Sequence, residues 1–275
     1  MRRLVFTDLF RAQKKKSYVI MMGLVVALII IVAIIAFVWP SKAAEESGKA
    51  ERFQTLNNIV TTFIPFLVGI PVFQAVFTDD FKSRTMQTAI GRGISRSRLV
   101  LSRFLEACML IVEAMVIFSV VTLIAALAVG TSVSGTFLLL AHLWVDASLI
   151  VAHLSVCMFF VYASQNATLG LVFFILFSAN VFGLLLKLVD SIPFLNDNGI
   201  EISKMVPTGV HTNMSNYLFG TKAVLDTTDI SKLLEPAIEA NFGKALVYGI
   251  VFVGVYIILP VFLSQAVFRK KELEF

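Results

Sequence analysis

Tyr18 to Trp39 reads YVIMMGLVVALIIIVAIIAFVW, an apolar run without a single charge, and Lys14, Lys15 and Lys16 stand directly before it. At a rise of 1.5 Å per residue, a helix of about 20 apolar residues crosses a hydrocarbon layer of about 30 Å. The apolar region of a secretory signal is shorter, about 7 to 15 residues, and does not sit behind a polar leader of this kind. The run therefore reads as a membrane span.

Five further blocks of the same character follow: Ile59 to Phe77, Leu99 to Val129, Phe137 to Tyr162, Leu169 to Val189 and Ala245 to Phe268. Backbone polar groups in lipid must be satisfied within the segment, so all six blocks are expected to be helices. The fold class is an all-α membrane protein of six transmembrane helices, with residues 1–275 forming one transmembrane domain. Composition agrees. Of 275 residues 58% are hydrophobic and only 15% charged, against roughly a quarter charged in soluble domains. Most enzymes, nucleic-acid modules and secreted disulfide scaffolds are thereby excluded.

The formal charge of +5 is topological in origin. Arg2, Arg3, Arg11 and Lys14 to Lys16 precede the first block, Lys82 to Arg103 supplies six more cations after the second, and Arg269, Lys270 and Lys271 follow the last. Basic residues stay cytoplasmic, so both termini and the second connection are expected on the cytoplasmic side of the cell membrane. The opposite connections, Pro40 to Asn58 and Asp190 to Lys244, mix signs or lean acidic.

Three segments outside the spans carry helical patterns. Leu4, Val5, Phe6, Leu9 and Phe10 sit among Arg2, Arg3 and Arg11, the pattern of a helix lying in the inner interface. Thr78, Asp79 and Asp80 can cap a short helix starting near Phe81, with Gly91 and Gly93 as stops. Ile230, Leu233, Leu234, Ala237, Ile238 and Phe242 repeat at three and four, an amphipathic helix leading into the last span.

No phosphate-binding loop, zinc-protease helix, paired CxxC or nucleophile elbow is present, so no self-contained ATPase or hydrolase is visible. Cys108 and Cys157 lie in apolar runs, where a thiol packs as a small hydrophobe. No metal site and no cofactor are expected on this chain. The ionisable residues within the blocks are Glu106, Glu113, His142, Asp146, His153 and Lys187, and such residues default to a functional hypothesis. Glu106 and Glu113 share one helix face, as do Asp146 and His153, with His142 a turn before Asp146. One reading is a proton or cation path through Glu113, Asp146 and His153. The other is structural: Glu106 pairs with Arg103, His142 with Asp146, and the stripes lock the bundle. Glu113 lies deepest and has no partner on its own helix. Pro65 and Pro71 are expected to kink span two, a hinge ahead of the cytoplasmic helix. Asn180 and Gln74 read as interhelical glue, and Asn213-Met-Ser215 is a weak glycosylation sequon.

The run from Asp79 through Asp80, Phe81, Lys82, Ser83, Arg84 and Thr85 to Gly93, Ile94, Ser95 and Arg96 resembles the cytoplasmic loop of ABC-2 type exporter permeases. The six-span order, basic leader, large outer segment and short basic tail are also similar, so the likeness covers the whole chain. The chain departs from the family at Arg84, where a Gly is common. The resemblance implies a permease subunit driven by a separate ATP-binding subunit, with ATP and Mg held there. Phe81 to Ile90 would then be the coupling helix, and the residues meeting the ATPase would be Asp80, Phe81, Lys82, Thr85, Met86, Thr88, Ala89, Arg92 and Arg96. It also implies a second permease, as a homodimer or a related chain, around a pathway for an amphiphilic peptide, antibiotic or lipid-like substrate. Beyond the lipid bilayer and these chains no partner is implied, and no nucleic acid. Two alternatives stand beside it: an ion-coupled secondary carrier using Glu113, Asp146 and His153, and a non-transporting membrane sensor or anchor.

Overall fold

The computed structural model describes residues 2–38, 63–78, 89–129, 133–192, 194, 201–220 and 239–270. All regular structure among them is helical. The chain divides into two compact units, residues 1–178 with 260–275, and residues 179–259.

The first unit contains α1 (Arg2–Gln13), α2 (Lys16–Val38), α3 (Phe63–Thr78), α4 (Arg96–Val129), α5 (Val133–Ser164) and α6 (Ala167–Ser178). The end of α9 (Phe242–Lys270) belongs to it from Pro260 onward. α4 is its spine and packs against α1, α2 and α5. Between its termini α4 has neither Gly nor Pro. Its inward face repeats at three and four through Leu99, Arg103, Glu106, Leu110, Ala114, Phe118 and Ala125, all buried. Its outward face, Val112, Val116, Val120, Ile124 and Leu127, is exposed and just as apolar. A helix apolar all round belongs in lipid rather than water.

Close approach is provided by small residues, as expected where helices associate without help from water. A methyl group built on Gly69 would run into the ring of Phe174, and one on Gly170 would meet the Val161 side chain and come within 3.0 Å of the Phe73 ring. Phe73 and Phe174 are fully buried, their rings 5.9 Å apart. The turn from α5 to α6 is made by Gln165 at φ 56 and by Asn166, whose Oδ1 accepts from the amides of Thr168 (2.9 Å) and Leu169 (3.3 Å). These bonds satisfy amides that a helix start leaves open.

The second unit contains α7 (Val181–Asp190), a 3-10 turn (Ile202–Met205), α8 (Pro207–Phe219) and the first part of α9. The Asp190 carboxylate accepts from Ile202 N (2.7 Å) and Ser203 N (3.0 Å), closing the start of the 3-10 turn. Tyr256 Oη donates to the Met205 carbonyl at its other end. Pro207 stands at the first turn of α8, where its missing N–H costs nothing. Asn241 caps α9 through Lys244 N, and its own amide donates to Tyr217 O at 2.7 Å.

Four helices among the described residues are long and apolar enough to cross a bilayer, and α6 with α7 makes a fifth if the two count as one broken span. The expected order of six differs at two places, the fifth and sixth blocks. The fifth block is not one helix from Leu169 to Val189. It breaks at Asn180, which takes a left-handed conformation (φ 52, ψ 29) that Asn tolerates better than most residues. Of the second block, the described part is the 16-residue helix α3, whose last five residues, Gln74–Thr78, are π-helical. The sixth block begins earlier, at Phe242, and carries a π-helical stretch at Val253–Ile258, two residues before Pro260. Pro lacks an N–H and its ring crowds the preceding turn, a recognised cause of such irregularity. The outer helix expected over Ile230 to Ile238 lies outside the described residues.

Candidate functional site

At the end of the first unit that carries Lys14 to Lys16 and Arg269, the helix termini are tied together by side chains. Residues 89–91 form a last helical turn, and Gly93 at φ 85 ends it. Gly93 N donates to Ile90 O (2.9 Å) and Ile94 N to Ala89 O (3.1 Å). This pair of bonds is a Schellman stop, which requires a residue at positive φ and so favours Gly. The expected stop at Gly93 is therefore present. Two residues after Ile94, Arg96 opens α4.

Arg96 is also joined to the last helix. Its Nη1 donates to Phe268 O at 3.4 Å, and its guanidinium lies 5.9 Å from the centre of the Phe268 ring. Phe268 is one of the last residues of α9, where carbonyls lack intrahelical donors and a cation is favoured. The same ring packs on Tyr162 of α5 at 4.9 Å. Arg96 and Phe268 thus bring the ends of α4, α5 and α9 together.

Two turns along α4, Arg103 Nη1 lies 2.6 Å from Glu106 Oε2, with both side chains buried. The pairing expected from their spacing is formed. Glu113 has a partner from another helix: Gln13 Nε2 at the end of α1 donates to its Oε2 at 2.7 Å. Nearby, Tyr18 Oη donates to Leu110 O (3.2 Å), and Lys15 Nζ reaches Ala75 O (2.5 Å). Glu113 therefore sits beside the junction of α1 and α2.

The remaining polar candidates are on α5. His142 and Asp146 are half-buried, one turn apart. His153 is buried, stacked on Phe177 at 5.9 Å and edge-on to Phe174 at 6.3 Å. Cys108 and Cys157 are free thiols. Of the residues expected to meet an ATPase, Asp80, Phe81, Lys82, Thr85, Met86 and Thr88 lie outside the described residues. Ala89 packs against the core, Arg92 is exposed and Arg96 is half-buried in its contact with Phe268. Sequence reasoning missed Gln13, Lys15 and Tyr18 as contact residues. Lys15 read as a topology signal alone, and nothing in its spacing points to Ala75.

An apolar groove of about 560 Å³ lies in each unit, between α2 and α4 (Ile30, Ile34, Ile124, Ala128) in the first and between α8 and α9 (Met214, Leu218, Ala245, Ile250) in the second. Both can hold hydrocarbon, but they lack the convergent polar groups that orient a specific ligand.

A comparison with curated proteins finds no match. A family profile does match, over residues 19–273, nearly the full length. The chain belongs to that family, described as a protein of unknown function (DUF2705).

Proposed function

We propose that the chain is the membrane permease subunit of an ATP-driven exporter of an amphiphilic substrate, with six spans and both termini cytoplasmic. ATP and Mg are bound and hydrolysed on a separate subunit, and a second permease, identical or related, completes the pathway. The observation that carries this reading is the hydrogen-bonded joint at Gly93 and Arg96. A helical turn ends in a Schellman stop, passes within two residues into α4, and is tied by Arg96 to the end of α9. A push on the segment before Gly93 is delivered to several spans at once. Such a push does work only if the partner binds the two positions of that segment with different affinity.

The resemblance of residues 79–96 to the ABC-2 loop supplies the partner, and the apolar grooves suit an amphiphile's hydrocarbon. The Gln13 bond to Glu113 and the aromatic stacking of His153 weigh against the ion-coupled carrier. In the test, the tagged full chain is expressed with its neighbouring open reading frames and purified in mild detergent. A stoichiometric ATP-binding protein is expected, and Phe81→Ala with Thr85→Arg is expected to release it. A folded chain that brings down no ATPase would overturn the proposal.

A further inference from the structure

The residues joining α1 to α2 bridge two other helices, and neither the family assignment nor the transport reading accounts for this. Within six residues, Gln13 holds Glu113, Lys15 holds the Ala75 carbonyl and Tyr18 holds the Leu110 carbonyl. The outer two contacts fix this connection to α4. The middle one places an ammonium on the foot of α3. That foot is the π-helical turn Gln74–Thr78, whose Ala75, Val76 and Phe77 are buried. π-Helical turns are rare, short and concentrated at functional sites, and a carbonyl within one keeps a second lone pair for an outside donor.

We infer that Lys15, bracketed by Gln13 and Tyr18, is a latch that holds the foot of α3 against α4 in its π-helical form. The latch is a conformational device: closed, it fixes the base of the span that leads into residues 79–88; open, it frees that base to rewind. It requires no transport activity and stands or falls separately from the proposed function.

Hydrogen exchange of peptides covering Gln74–Thr78, measured on the full chain in lipid nanodiscs, tests it. Lys15→Met keeps the apolar stem and removes the donor, and is expected to speed exchange there about tenfold, as loss of a charge-assisted bond predicts. Lys15→Arg, which keeps a cationic donor, is expected to stay within about twofold of wild type. Lys14→Met, whose ammonium lies over Phe10 at 4.2 Å, serves as the neighbouring control and is expected to leave the peptide unchanged. Equal exchange in Lys15→Met and Lys14→Met overturns the latch. If Lys15→Met does not fold, Gln13→Leu decides: it touches α4 and not α3, so faster exchange at Gln74–Thr78 supports the latch and unchanged exchange overturns it.

Discussion

Arg103 and Glu106 form an ion pair of 2.6 Å in which the side chains keep only 5% and 2% of their surface exposed. Two charges so enclosed gain little over well-packed apolar side chains, but removing one strands the other. Glu106→Leu alone is expected to destabilise the chain by about 3 to 5 kcal/mol. The double variant Arg103→Met, Glu106→Leu is expected to recover most of that loss. Thermal unfolding of both in the same detergent decides it, and a double variant no better than the single would refute the isolated-charge argument.

The contact of Gly69 with Phe174 leaves no room for a methyl group. Phe174 is fully buried against Phe73 and His153 and has little freedom to withdraw. Gly69→Ala is expected to cost about 1 to 3 kcal/mol through overpacking. Gly23→Ala, on α2 with nothing within 4 Å, is expected to be neutral or mildly stabilising. Parallel melts of the two variants check the contrast.

Gly91 and Gly93 are expected to respond in opposite directions. Gly91 is the last helical residue, with open space around its Cα, so Gly91→Ala is expected to favour the turn by up to about 1 kcal/mol. Gly93 has φ 85, where a side chain costs about 1 to 2 kcal/mol. Under the proposed function, Gly93→Val weakens capture of the ATPase and Gly91→Ala does not. Pull-down yields at matched expression measure this.

Glu113→Gln keeps an oxygen that Gln13 can donate to while abolishing ionisation. A permease powered by its partner is expected to show the same pH dependence of transport before and after this change. A lost or shifted pH profile would revive the carrier.

Asp190 stands one residue beyond the apolar stretch ending at Val189, and its carboxylate is held below the ordinary range, first by the Ser203 side-chain hydrogen bond and then by the backbone amides of Ser203 and Ile202. A depressed carboxylate stabilises the folded form above its unfolded value of about 3.9, and that contribution disappears as pH falls through the lowered folded value. Protection of the Ile202 and Ser203 amides, corrected for intrinsic exchange, is expected to be constant from pH 7 to 5 and to fall at lower pH. In Asp190→Asn that decline is expected to be absent.

Several elements were legible because one cause dominates each. α2, α4 and α5 follow from long, predominantly apolar runs free of Pro, and the Gly93 stop from the need for a positive φ. The break at Asn180 was not legible: one Asn in an apolar run bonds across helices as readily as it turns the chain, and only packing decides. α8 was missed although Pro207 and Gly220 bracket it, because its interior is polar and lacks a clear apolar period. The contacts of Gln13, Lys15 and Tyr18 were illegible for another reason. They join residues between 60 and 100 positions apart, and no local pattern encodes such a meeting.

The outward face of α4, with Val112, Val116, Val120, Ile124 and Leu127 exposed, changes what a mutation measures. In a water-soluble protein, truncating a buried Phe costs the transfer of its ring from water as well as the void it leaves. In a bilayer, the setting that these long apolar helices fit, loosened helices would stay in lipid, which dissolves the ring as readily as the bundle does. There Phe118→Ala is expected to forfeit mainly shape-matched contacts, so that fit between surfaces, more than escape from water, governs the packing of these spans.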